Sequence, residues 1–433
     1  MTQTTTPPSS FHRTLVGLVG NVMEWYDFAV YGYVASALGA AFFPAEVPAL
    51  QTMASFGVFA VGYLMRPVGS LVLGPLGDLL GRRLMLSLSI VIMGLSSLAI
   101  GLLPTHAQIG ISAGVLLVLM RMLQGFSVGG EFTGSITYAT EAAASGHAGF
   151  LSSLAIAGGL VGFSLGSFTA ALIGWAVGQQ AMAAWGWRLP FLLGAVVAVL
   201  GLWMRRSMPE TLPPDADAPP LRGLHDLGSA MAWRLAQVGR QWRLVLRVMG
   251  LVSFANVIFY LAFVFLVDYT GQRLGNSAAA NTVATVLQTI GLPLVLLGGH
   301  LGDRWGLVLA NRWGNIALLL VMPAGLLIGQ HGTLGSLALA LAVMLLPLMA
   351  TMGAQGVLGV ALLPTRQRCA VFSISYSLAM ALFAGTAPLV ATWLQENRNW
   401  PWATPLYVLP FGLWALQAVR ASRRQLTIPV HLP

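Results

Sequence analysis

The apolar residues of this chain gather into about twelve runs, each near the ~20 residues that an α-helix needs to cross the ~30 Å hydrocarbon core of a bilayer. The runs fall at 14–42, 50–78, 84–103, 110–140, 148–177 and 188–205, and again at 244–267, 279–299, 307–329, 335–362, 369–395 and 401–419. Open sheet edges and irregular backbone are excluded from lipid, and the alternating dyads of an outer-membrane barrel are absent. The expected fold class is an all-α polytopic membrane protein. Composition excludes the soluble alternative: charged residues are 8% and hydrophobic residues 57%, against about 25% and 45–50% in an average soluble chain. A mean hydropathy of +0.78 agrees with lipid as the solvent. The polar start, MTQTTTPPSSFHR, runs into a long apolar segment without an A-x-A cleavage site, so that segment is expected to be a retained first span.

The formal net charge is +9 and the pI about 10.4. Nucleic-acid binding is the soluble interpretation of such a balance, but multispanning proteins concentrate basic residues on their cytoplasmic loops, and no nucleic-acid partner is expected. All 22 basic residues are Arg. With the N-terminus inside, seventeen of them fall on inner loops and three, Arg188, Arg273 and Arg398, on outer ones. That bias predicts an even number of spans and both termini cytoplasmic. The single Cys369 excludes an intramolecular disulfide and a thiolate metal cluster. The histidines are scattered, and there is no Walker-type phosphate loop, nucleophile elbow or triad. No metal, no cofactor and no enzymatic activity are expected.

Between the two sets of six spans lies the one long polar stretch, 206–243, which divides the chain into 1–205, the connector and 244–433. The connector opens on MPETLPPDADAPP, a Pro-rich acidic linker, and continues through LRGLHDLGSAMAWRLAQVGRQWRLVLR. That second part reads either as an amphipathic helix at the membrane surface or as a solvated connector with some helicity. A repeat supports the halving: GPLGDLLGRR at 74–83 follows the second span, and GHLGDRWG at 299–306 follows the eighth. Corresponding places in two six-helix units thus carry the same loop. Glycine lets the backbone turn sharply, and the aspartates can accept from helix N-terminal amides and pair with Arg. Asp78, Arg82, Arg83, Asp303 and Arg304 are therefore candidates for a latch that closes the cytoplasmic side. A plain tight turn with surface charges is the alternative.

Charge inside the membrane is costly and marks function by default. The first span contains GNVMEWYDFAVYG, with Glu24 and Asp27 on one face and Tyr31 a turn beyond. At ~1.5 Å per residue, Glu24, Asp27, Arg66 and Glu131 all sit near the midplane. In the fourth span Arg121, Gln124, Glu131 and Ser135 fall on one polar stripe. Three carboxylates thus face two guanidiniums in the first half, and static ion pairs do not need such an imbalance. Arg stays charged in proteins, whereas a desolvated carboxylate can take up a proton. Glu24, Asp27 and Glu131 are candidate proton carriers; Arg66 and Arg121 are candidate anchors for a charged substrate. Static pairing of helices is the competing interpretation. The second half offers Asn256, Tyr260 and Tyr376 as the far wall of a central cavity, with Tyr31 and Gln124 completing the substrate set.

The stretches GNVMEWYDFAVYG, RPVG at 66–69, RMLQGFSVGGEF at 121–132, WGWRLPF at 185–191, GDRWG at 302–306 and LLPTRQR…GTAPLVATWL at 362–394 resemble the major facilitator superfamily, and within it the metabolite:proton symporter family. IGLLPTHAQIGI, GGEFTGS and NVIFY are similar to its proline/glycine-betaine members. The resemblance implies 12 transmembrane helices in two six-helix halves, alternating access at their interface, proton-coupled import of a small polar metabolite, and function as a monomer. A zwitterion such as proline or betaine suits a site with both signs of charge. A di- or tricarboxylate, or export of a drug or siderophore, are the alternatives. The sequence departs from the family at Leu79, where Arg is usual, and at Gly146-His147-Ala148-Gly149, which lacks the usual basic residues.

Overall fold

The computed structural model describes residues 10–43, 48–143, 146–206, 208–212, 224–398 and 400–423. Most of the polar N-terminal stretch and most of the Pro-rich acidic linker lie outside them. Every regular element among the described residues is helical. In the first half they are α1 (Ser10–Tyr33), α2 (Ala35–Phe42), α3 (Pro48–Leu79), α4 (Arg82–Leu102), the short α5 (His106–Ile109), α6 (Ser112–Ala142), α7 (Ala148–Val177), the short α8 (Gln179–Ala181) and α9 (Arg188–Arg205). Then come α10 (Leu224–Arg240), α11 (Trp242–Tyr260), α12 (Leu266–Leu274), α13 (Ser277–Trp305), α14 (Leu307–Gly329), α15 (Leu334–Ala361), α16 (Arg368–Ala379), α17 (Ala387–Arg398) and α18 (Ala403–Ser422). Grouped by the turns between them, these make twelve crossings, with α1–α2, α11–α12 and α16–α17 each forming one. The last two carry an inserted π turn, Leu261–Phe265 between α11 and α12 and Met380–Ala384 between α16 and α17.

Hydrophobic driving force between helices is weak in lipid, so close packing of small residues has to hold such a bundle. The glycines supply it. A side chain at Gly125 of α6 would strike the backbone of Gly62 in α3, and one at Gly69 the backbone of Phe126. The corresponding pair in the second half meets the same way, Gly298 of α13 on Ala350 and Gly353 of α15 on Val295. Spans two and four, and their counterparts eight and ten, are thus held backbone to backbone. Leu at Gly125 or Gly353 is expected to cost at least the ~1–3 kcal/mol of ordinary overpacking, because backbone cannot move aside as a side chain can. A drop in the detergent melting temperature measures it, with Gly335→Leu, which meets nothing within 4 Å, as the control. Equal melting temperatures for all three variants would show that these contacts contribute little.

The halves meet along two seams. α7 crosses α13 where Gly149 and Gly299 lie backbone to backbone, and α3 crosses α16 where Gly74 abuts Ala370 and Ser373. The second part of the connector is helical, and it does not simply float on a surface. As α10 it packs beneath α3 and α16, with Arg234 buried and donating to Gln237, which in turn accepts from Gln367 at 3.0 Å.

Candidate functional site

α1 runs through the centre of the first half, and its polar face organises three buried charge centres at successive heights. The middle one is Glu24, fully buried, which accepts from Arg66 Nη2 of α3 at 2.5 Å. The next, one turn toward α2, is Asp27. It accepts from Ser97 of α4 and, at 3.2 Å, from Gln124 of α6. Gln124 in turn accepts from Arg121 at 2.7 Å, so Arg121 reaches Asp27 through an amide. Glu24 Oε2 and Asp27 Oδ1 have no hydrogen-bond partner among the described residues. Phe28 lies between the two cations, 5.5 Å from the Arg66 guanidinium and 5.1 Å from that of Arg121. Stacking over aromatic faces stabilises a desolvated cation, and Tyr31 does the same for Arg121 at 4.2 Å.

The third centre changes the charge count expected from the sequence. Glu131 of α6 is held by Arg205, the last residue of α9, which bonds both carboxylate oxygens and the Leu86 carbonyl of α4. Arg205 is 1% exposed. At these three centres Arg66, Arg121 and Arg205 therefore stand against Glu24, Asp27 and Glu131, three against three and not two against three. Arg205 was counted with the loop charges because it adjoins Arg206 at a helix end. The helix carries it inward while Arg206 stays exposed.

Of the residues expected to bind substrate, Arg66, Asn256, Tyr260 and Tyr376 come together around one cavity between the halves. Tyr376 donates to Asn256 Oδ1 at 3.3 Å. Trp25, Phe132 and Phe259 add three more aromatic rings, and Ile156, Leu160, Met352 and Met380 complete the wall. Trp25 and Phe132 were missed, although each adjoins a membrane carboxylate, Glu24 and Glu131, and that adjacency was the available signal. The other expected residues face elsewhere. Tyr31 lies in an apolar cluster with Tyr26, Phe42, Trp187 and Phe191, and Arg121 and Gln124 point into the first half beside it. The cavity measures ≈ 20 Å³, room for about one water and far below the ~300 Å³ of a typical ligand site. The site is closed around itself in this conformation.

At one end of the bundle the aspartates of both Gly-Asp motifs clasp the opposite half, from the last turns of α3 and α13 rather than from loops. Asp78 pairs with Arg82 at 2.6 Å and accepts from the amides of Cys369 and Ala370 at the start of α16. Asp303 accepts from the amides of Gly149 and Phe150 at the start of α7, at 2.7 and 2.8 Å. Each carboxylate thus sits on the positive end of a helix from the other half. Backbone amides serve where the basic residues after span four are missing. Arg82 also bonds Glu141 and the Thr365 carbonyl, and Glu141 reaches Arg368 at 3.3 Å. Glu141 and Arg368 were not anticipated, nor was Glu210, which caps the start of α4 through the amides of Arg82 and Arg83. Arg83 is exposed and donates to the Arg206 carbonyl; Arg304 is exposed as well. Neither is placed across the seam. Among the described residues no cluster of metal-ligating side chains is present.

Twelve crossings in two halves, joined around an aromatic-lined cavity with an ion pair behind it and clasped at one end, define a secondary transporter. The family model described as "Sugar (and other) transporter" matches residues 14–212. A proline/betaine transporter of Salmonella typhimurium strain LT2 is 36% identical over 388 residues, 88% of this chain and 77% of that one. The ectoine/proline transporter ProP of Corynebacterium glutamicum is 35% identical over 420 residues, 94% of this chain and 82% of its own. The chain belongs to the major facilitator superfamily, in the metabolite:proton symporter family of these relatives. The fold is shared more widely. The proton:xylose symporter XylE superposes with a TM-score of 0.68 at 16% identity over 98% of this chain and 96% of its own. The human organic anion transporter MFSD10 superposes with a TM-score of 0.66 at 20% identity over 95% and 100%. The protein is a multi-pass membrane transporter and not an enzyme.

Proposed function

We propose that the protein imports a small zwitterion, proline or a betaine-like solute, together with protons across the inner (plasma) membrane, working as a monomer with both termini and the clasped end in the cytoplasm. The observation that carries this is Arg66, a guanidinium on the wall of an aromatic cavity with its counter-ion, Glu24, behind it. A guanidinium holds a carboxylate in a two-point geometry, and aromatic faces attract an ammonium or quaternary nitrogen. A zwitterion offers both groups. The names of the relatives point to the same solutes.

The same arrangement suggests the coupling. A substrate carboxylate that takes Arg66 strips Glu24 of its counter-ion, and a buried carboxylate without one is stable only as the neutral acid. Substrate and proton then enter together. Asp27, with one oxygen free of partners among the described residues and Arg121 acting through Gln124, is a second proton acceptor outside the cavity. The units 1–205 and 244–433 rock about the cavity, with 206–243 between them.

Reconstitution into liposomes with an inward proton gradient tests the proposal. Labelled proline or betaine is expected to accumulate, and an uncoupler to abolish the accumulation. Accumulation of citrate or 2-oxoglutarate instead would replace the zwitterion with an organic acid, and gradient-driven efflux would reverse the direction.

A further inference from the structure

We infer that Arg205 positions Glu131 as the second stop of a proton path that leaves Glu24 through the interior of the first half, separate from the route of the substrate. The inference rests on the proton-coupled reading above and adds a residue and a direction to it.

Gly20 and Glu24 lie four residues apart on one face of α1, about 6 Å along the axis at ~1.5 Å per residue. A side chain at Gly20 would land on Glu131 and on Arg205, so the Glu131–Arg205 pair sits against α1 one turn from Glu24, toward the clasped end. In the proposed path a water between Glu24 and Glu131 carries the proton across. Four elements of the first half enclose the pair: α1 through Gly20, α4 through the Leu86 carbonyl, α6 and α9. Glu131 is 2% exposed and is absent from the cavity wall, so it touches no substrate there. On its far side stands the end of α9, where Arg206, the next residue after Arg205, is exposed.

The step balances without any other reagent. The proton leaves the Glu24 carboxyl and joins a Glu131 oxygen. Glu24, again an anion, closes on Arg66, whose substrate carboxylate is released into the cavity. Neutral Glu131 loosens from Arg205, which keeps the Leu86 carbonyl, and the proton passes to water at the clasped end. Arg205 recaptures the Glu131 anion once the proton has gone. Arg205 is therefore a positioning residue: it holds the Glu131 carboxylate against α1 and receives it again once the proton has gone.

The test separates exchange from accumulation. Exchange of labelled for unlabelled proline across the membrane, with no gradient, needs no net proton movement; accumulation does. The double variant Arg205→Met/Glu131→Gln removes both charges, so no unpaired ion is left to unfold it. It is expected to exchange within about twofold of wild type and to lose accumulation by ~10²-fold, the usual scale of a proton-transfer group. Arg205→Lys, which keeps the charge, is expected to recover part of the accumulation. Undiminished accumulation in the double variant would show the pair to be structural only, and parallel loss of exchange and accumulation would overturn the proposal as well. A wild-type protein that exchanges proline but never accumulates it would overturn the coupled reading itself.

Discussion

Arg66→Met is expected to abolish both exchange and accumulation, by ~10² or more for an anchor whose whole charge is removed, and to destabilise the protein besides. The two effects have different causes and can be separated. Removing one partner of a buried ion pair leaves the other uncompensated, at about 3–5 kcal/mol, and Glu24 is fully buried. The double variant Arg66→Met/Glu24→Gln takes away both charges. Its melting temperature is expected to return close to wild type while transport stays absent. Transport that returned with stability would show that Arg66 served the fold alone and that the substrate carboxylate is held elsewhere. Arg66→Lys keeps the charge but not the fork, so it is expected to bind weakly rather than not at all.

The second large effect belongs to the clasp. Asp78 holds Arg82 and the first amides of α16, and Cys369, at that same helix start, is 1% exposed. Because the chain has one cysteine, a membrane-permeant maleimide reports on this seam alone. Asp78→Asn keeps the shape and removes the charge, so labelling of Cys369 is expected to quicken by about tenfold, equivalent to ~1.4 kcal/mol in the gate equilibrium. A substrate that favours the closed site should slow it again. An unchanged labelling rate in Asp78→Asn would show that the seam is held by its glycines rather than by the carboxylate.

Which of these features could be read from the sequence follows from how each is encoded. Spans are encoded by hydropathy over ~20 residues, so their number and approximate ends were legible. Asp78 and Asp303 were legible because the same Gly-Asp loop occurs twice. Glu24, Asp27, Arg66 and Glu131 stood out because charge within a span is rare. What stayed hidden depends on direction and depth. Arg205 lies where a helix ends, and one helical step decides between core and loop; its neighbour Arg206 went the other way. Tyr31 was assigned to the cavity from its place on the polar face of α1, yet its ring turns onto Arg121 inside the half, a choice made by α9 residues such as Phe191, far away in the chain. Glu141, Arg368 and Glu210 looked like ordinary loop charges, since only the fold brings them to one seam.

The π turns of the second half have a mechanical consequence. One stands directly after Tyr260 and the other four residues beyond Tyr376, so both spans that wall the cavity opposite Arg66 are jointed at its height. A π turn widens one loop of the helix and leaves that turn softer than the rods on either side. Each span then behaves as two levers on a pivot. The arms on the clasped side, α16 packed on α3 and α6 and α11 packed on α16, can stay fixed while the arms beyond the turns, α12 and α17, swing. Opening to one side would then take the bending of two arms, where a rigid barrel would have to turn as a whole.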